Sequence, residues 1–185
     1  YRNTELQSPE NPANTLVMGP WIHGGWSRDD GDHLGDVKFN AKTAPFYREQ
    51  IELPFFEYHL KGKGDGKLPK AWVFETGTNV WRKFDAWPPK EARSAAFVLG
   101  PSGRLARGDE KAGVSESRSG FDEFVSDPAK PVPYRVRPIL PTYGPGSTWS
   151  QWLVDDQRFA SDRPDVSVWQ TAPLDRDITI AGGVR

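Results

Sequence analysis

The short apolar run Thr15-Leu16-Val17-Met18, stopped at once by Gly19-Pro20, constrains the fold of this chain more than any other feature. A brief apolar stretch without polar alternation suits a strand covered on both faces, as in a parallel sheet flanked by helices. A strand of that kind needs neighbours on both sides. Residues Tyr1 to Asn14 cannot supply one: they are polar, carry Ser8-Pro9 and Asn11-Pro12, and read as a surface loop. The simplest reading is that the chain starts partway through an α/β domain.

Between Trp21 and Asn40 the sequence is rich in Gly and Asp and reads as a long loop, a kind of segment that usually carries function. Thr43 to Leu60 is the one convincing helix. Thr43 is the expected N-cap and Pro45 is tolerated in the first turn, where a missing N–H costs nothing. Tyr47, Ile51, Phe55 and Tyr58 recur at helical spacing and form one apolar face. Pro54 removes a backbone bond and predicts a kink near the middle. Gly62 and Gly64 end the helix, and Lys61 and Lys63 suit the negative end of its dipole.

After Leu68-Pro69 the texture changes, and a domain boundary is expected there. Short β-type runs follow: Ala71 to Thr76, Val80 to Phe84, Ala95 to Leu99, Phe121 to Val125, Val166 to Gln170 and Ile178 to Ala181. Gly77-Thr78-Asn79 reads as the turn joining the first two. Several short strands without intervening helices predict a β-sandwich. Pro128 to Pro145 holds six prolines and reads as a crossing loop rather than a central strand.

Composition narrows the functional classes. With 24 Lys+Arg against 25 Asp+Glu, the net charge of −1 gives no electrostatic reason to expect nucleic acid or an anionic membrane as a partner. No apolar run approaches the ~20 residues of a membrane helix. With 0 Cys, disulfides, thiolate-ligated zinc and thiol nucleophiles are excluded, and the compartment stays open. A hydrophobic fraction of 36% with Gly 18 and Pro 17 points to a loop-rich, β-rich protein. The 8 Trp fill cores or line pockets, and composition does not separate the two.

The segment Gly19-Pro20-Trp21-Ile22-His23-Gly24-Gly25-Trp26 directly follows the apolar run. In open α/β sheets, sites form beyond the carboxyl ends of strands, which is where His23 falls. A neutral imidazole there can accept a proton from a serine hydroxyl and return it to a leaving group. A structural loop histidine is the alternative, and spacing alone leaves both open. Asp29, Asp30, Asp32, His33 and Asp36 form an acidic cluster without calcium-hand spacing; it reads as a solvated loop or as the edge of a substrate entrance. His59 reads as a helix-surface or packing residue, Trp149 and Trp152 as core filling, and Arg163 with Asp165 as a pair holding a turn. Gly144-Pro145-Gly146 lacks the features of a phosphate loop, and no cofactor is expected.

Beyond these residues the sequence resembles a known family. Gly19-Pro20-Trp21-x-His23 is similar to the histidine motif of serine hydrolases of the X-Pro dipeptidyl peptidase and CocE/NonD type, which include cocaine esterase, α-amino acid ester hydrolases and glutaryl-7-aminocephalosporanic acid acylases. Pro54-Phe55-Phe56-Glu57-Tyr58-x-Leu60-Lys61-Gly62 resembles the helix after the histidine loop. Val73-Phe74-Glu75-Thr76-Gly77-x-Asn79-x-Trp81 and Trp87-Pro88-Pro89 resemble the opening of the family's C-terminal jelly roll. Phe124-Val125-Ser126-Asp127-Pro128, Asp156-Gln157-Arg158 and Arg163-Pro164-Asp165-Val166 continue the likeness.

The resemblance implies a mixed fold: residues 1–68 as the C-terminal segment of an α/β-hydrolase domain, and residues 69–185 as a mainly β jelly-roll domain, both incomplete. It implies a Ser–Asp–His triad in that chain order, with His23 as the base and the other two members upstream. No G-x-S-x-G elbow occurs in this sequence; Gly100-Pro101-Ser102-Gly103 fails the spacing. The expected substrate is a small acyl ester, amide or peptide, and an unpaired strand edge is expected to favour self-association. The competing reading is a stand-alone β-sandwich binding module preceded by a linker, although linkers have no reason to carry an apolar run such as Leu16-Val17-Met18.

Overall fold

A computed structural model describes residues 1–11, 13–108, 121–135 and 137–184. The chain is a mixed α/β structure built on small sheets, and it divides into two compact units. The first comprises residues 1–91, 141–154 and 181–185, and the second residues 92–140 and 155–180.

The first unit is organised by a three-stranded sheet. Strand β1 (Leu16–Met18) pairs in parallel with β4 (Ala71–Glu75), and β4 pairs antiparallel with β5 (Val80–Phe84). The parallel partner of β1 matches the reading of its apolar run. Its coverage on both faces does not: Leu16 and Val17 are half-buried and Met18 is exposed. Among the described residues β4 is its only ladder partner, so the second neighbour expected from the sequence is not present.

Strand β4 shows why this sheet forms. Trp72 and Phe74 alternate onto one face and are buried there at 6% exposure each. Directly across the ladder, Phe74 faces Trp81 with ring centroids 5.5 Å apart, and Trp72 faces Lys83, whose ammonium lies 4.5 Å from the indole centroid. Cross-strand pairs of these kinds each contribute about 0.5–1 kcal/mol. The β4–β5 turn uses Gly77 at φ 94° and Asn79 at φ 56°, left-handed values that Gly and Asn tolerate best. Glu75 accepts bonds from the Thr78 hydroxyl at 2.5 Å and from Arg82 at 3.2 Å, which together lower its pKa.

The helix expected over residues 43–60 exists, but its interior differs. It comprises α3 (Thr43–Tyr47), a π turn (Arg48–Glu52) and α4 (Leu53–Lys61). The π turn ends two residues before Pro54, which has no N–H for an i→i−4 bond, and the helix continues through it. Ile51 faces the core at 2% exposure. Gly62 closes α4 in the left-handed conformation, and the amide of Lys63 bonds to the carbonyl of Glu57 at 3.1 Å. Phe46 of α3 stacks on Trp81 and meets Trp72 edge-on, with centroids 5.5 and 5.8 Å apart, so helix and sheet share one aromatic core with Phe39 and Phe74. Trp72 and Trp81 bury their indole N–H groups there without a hydrogen-bond partner among the described residues.

Two segments read as loops hold short elements. Residues Arg2–Gln7 form α1, secured by Glu5, which accepts bonds from Asn14 at 2.7 Å and Lys70 at 3.2 Å. The long loop after β1 contains α2 (Gly25–Arg28) and a minimal hairpin of β2 (His33–Leu34) and β3 (Val37–Lys38). The helix α5 (Trp149–Trp152) completes this unit.

In the second unit, β6 (Phe97–Leu99) and β7 (Leu105–Arg107) form an antiparallel pair. Gln170 bridges to Arg104 beside them, and the Trp169 indole donates to the carbonyl of Gly100 at 3.2 Å. Of the runs read as strands, Phe121–Val125 and Ile178–Ala181 pair in no ladder among the described residues, and of Val166–Gln170 only Gln170 makes a bridge. A short apolar run supplies no partner for the backbone, and a strand exists only as a ladder. No helix among the described residues is long and apolar enough to cross a membrane.

Candidate active site

The chain leaves β1 through Gly19, and the indole of Trp21 folds back against it. A Cβ on Gly19 would fall 2.4 Å from the Trp21 ring, so this close approach requires glycine. Trp21 then sits among Tyr47, Trp81 and Trp26, with centroids 5.2, 5.8 and 6.4 Å away. Each such pair contributes about 0.5–1.5 kcal/mol beyond area burial. The anchor of the histidine segment is therefore the same aromatic core that joins helix to sheet.

His23 follows Trp21 by two residues and lies on an exposed turn five residues beyond the end of β1. Gly24, at φ 78°, reverses the chain into α2 directly after it. The imidazole meets Trp26 edge-on, with centroids 6.2 Å apart, and makes no hydrogen bond among the described residues. The ring thus rests against an indole on an exposed residue. Such a group can exchange a proton with a partner brought to that face.

Hydrogen bonds to Thr43, Ala44 and Arg48 pin this loop to the helix. The Trp21 Nε1–H donates to Thr43 Oγ1 at 2.7 Å, and the Thr43 hydroxyl donates to the carbonyl of Gly31 at 2.6 Å. Arg48 Nη1 donates to the carbonyls of Trp26 at 2.7 Å and Asp29 at 3.2 Å. The amide of Ala44 bonds to the carbonyl of Asp30 at 3.1 Å. Thr43 is not the side-chain N-cap expected from the sequence; Lys42 holds the cap position, and the Thr43 hydroxyl is committed to the loop instead.

The acidic residues do not converge on one point. Asp30 pairs with Lys42 at 2.8 Å, which raises the lysine pKa, and Asp32 pairs with His33 at 2.6 Å, which lowers the carboxyl pKa. With Trp21, Ile22, Gly25 and Ser150, residues 29–35 line an open cleft of about 410 Å³. His59 packs between Phe55 and Tyr58 at 4.5 and 5.1 Å. Trp149 meets Tyr143 at 5.8 Å, and the Trp152 indole donates to Thr148 at 3.1 Å. Arg163 and Asp165 make a two-point ion pair at 2.8 and 2.6 Å. Sequence reasoning missed the roles of Thr43 and Arg48, since nothing in their spacing separates a loop anchor from a cap or a surface cation.

The strand, the histidine turn and the helix that clamps it form one unit, and comparisons with known proteins show what this chain is similar to. The chain is homologous, over nearly its whole length, to a segment of serine esterases of the CocE/NonD type. It is 31% identical to cocaine esterase of Rhodococcus sp. (strain MB1 Bresler) over 181 residues, which are 95% of this chain and 30% of that protein. Its structure matches an α-amino acid ester hydrolase with a TM-score of 0.80 and 36% identity, covering 98% of this chain and 30% of that one. It also matches an aminopeptidase from a marine sediment archaeon, Thaumarchaeota archaeon, with a TM-score of 0.80 and 39% identity over 94% of this chain and 27% of that one. No family model matches the chain. The chain thus spans about 30% of the length of these relatives.

Proposed function

We propose that this chain supplies the base-bearing segment of a serine hydrolase that cleaves ester or amide bonds, with His23 as the base. On this reading residues 1–68 close an α/β-hydrolase domain and residues 69–185 belong to a jelly-roll β-sandwich. The observation that carries it is the position of His23: an accessible imidazole on an anchored turn past the end of a parallel strand, in a chain homologous to cocaine esterase along 95% of its length.

The chemistry follows from what a neutral imidazole can do. A serine hydroxyl contributed by the rest of the hydrolase attacks the substrate carbonyl while His23 takes its proton. The tetrahedral intermediate collapses, the carbonyl–leaving-group bond breaks, and His23 returns the proton to the departing oxygen or nitrogen. Water, deprotonated by the same imidazole, then cleaves the acyl-enzyme and releases serine. An aspartate orients the imidazole and stabilises its cation. Without a serine elbow of the G-x-S-x-G type in its sequence, this chain alone is expected to hydrolyse nothing measurable.

The test is hydrolysis of a p-nitrophenyl ester by three samples: this chain alone, the full-length polypeptide encoded by the parent gene, and that polypeptide with His23→Ala. Activity confined to the unsubstituted full-length polypeptide supports the reading. Turnover by the chain alone, or full activity after His23→Ala, overturns it.

A further inference from the structure

We propose that Thr43 is a positioning residue for His23, acting through its hydroxyl; this rests on the reading of His23 as the base. Thr43 is the one buried polar residue among those described, at 1% exposure. Its oxygen accepts from Trp21 Nε1 at 2.7 Å and its proton goes to the carbonyl of Gly31 at 2.6 Å. Trp21 precedes His23 by two residues and Gly31 follows it by eight, so a single buried oxygen gathers both flanks of the histidine turn.

The surroundings leave that oxygen no alternative use. Thr43 is the first residue of α3, one position past the N-cap Lys42, and its side chain makes no capping bond. The space beside it is closed from the other side: a Cβ on Gly31 would lie 2.6 Å from Thr43 Oγ1 and 2.7 Å from Trp21 Nε1. Valine has nearly the shape of threonine but would leave the indole N–H and the Gly31 carbonyl without this partner. The indole would then be free to shift within its aromatic cluster, and His23 would move with it. Misplacement of a reacting group by 1 Å costs about 10²-fold in rate.

The experiment compares kcat and KM of the full-length enzyme carrying Thr43→Val, Thr43→Ser or His23→Ala on a p-nitrophenyl ester. Thr43→Val is expected to lower kcat by about 10- to 100-fold with KM changed less than about twofold, and Thr43→Ser to restore most of the loss. A Thr43→Val enzyme with undiminished kcat overturns the proposal, as does a Thr43→Ser enzyme as impaired as Thr43→Val, which would assign the role to the methyl group. Loss of activity in His23→Ala beside normal Thr43→Val sinks this inference alone; full activity in His23→Ala sinks the reading beneath it as well. Should Thr43→Val fail to fold, exchange of the indole protons in the unsubstituted protein decides. The Trp21 N–H must exchange at least about tenfold more slowly than that of the exposed Trp26, and equal rates would overturn the proposal.

Discussion

Arg48 donates from Nη1 to the backbone carbonyl of Trp26 at 2.7 Å, so the first residue of the π turn holds the short helix that begins two residues after His23. The same nitrogen reaches the carbonyl of Asp29 at 3.2 Å. Trp26 is within the four-residue α2 and Asp29 is its C-cap, and the last four carbonyls of a helix lack intrahelical partners.

Arg48→Ala unpairs both carbonyls at once. Because the contacts are exposed, the expected loss of stability is about 1 kcal/mol, measured by urea denaturation of the chain. Arg48→Lys is expected to recover only part of it, since the shorter lysine must bring its ammonium to where Nη1 now reaches both carbonyls.

His23→Ala separates function from fold. The imidazole is exposed and makes no hydrogen bond among the described residues, so the unfolding free energy is expected to stay within about 0.5 kcal/mol. On the proposed reading of His23 as the base, ester hydrolysis by the full-length polypeptide is expected to fall by at least about 10³-fold. A large loss of stability would instead make His23 a structural residue.

Gly31→Ala and Gly62→Ala together isolate a steric clash from backbone strain. Both glycines have left-handed φ, 63° and 65°, but a Cβ on Gly62 meets nothing within 4 Å. At Gly31 it meets the Thr43 oxygen at 2.6 Å. Gly62→Ala is expected to cost about 1 kcal/mol, and Gly31→Ala at least about 2 kcal/mol more, read from paired denaturation curves.

Asp156 is expected to titrate far below an ordinary carboxyl. Arg158 donates to it from the side chain and from its backbone amide at 2.9 Å, lowering the pKa from 3.8 to about 2. A carboxyl depressed in the folded state stabilises it fully above pH 3.8 and loses that contribution as the pH falls through about 2. Carbon-13 titration of the Asp156 carboxyl should place its midpoint near 2, and Arg158→Ala should return it toward 3.8. No change between pH 5 and 8 is expected from this pair.

Local pattern made parts of this structure legible. The apolar recurrence from Tyr47 to Tyr58 announces the long helix, and Gly62 its end, because both depend on residues within a few positions. The β4–β5 hairpin follows from alternation about a Gly-Thr-Asn turn. The run Phe121–Val125 looked equally strand-like and forms no ladder among the described residues, since a local run says nothing of what lies across the backbone. The helix α1 was hidden for the converse reason: its polar residues are held by Lys70, which lies 65 residues from Glu5.

Sequence alone determined that a histidine follows a short apolar strand through a Gly-Pro-Trp turn, that a long helix comes next, and that the serine elbow is not among these residues. Those are matters of chain order and short-range periodicity. Only the tertiary structure decided that Trp21 packs into the helix–sheet core, that Thr43 forgoes its cap to hold the histidine loop, and that Arg48 grips the helix beyond it. These contacts join residues about 20 positions apart, and such pairings depend on where the packed side chains bring the backbone rather than on any local spacing.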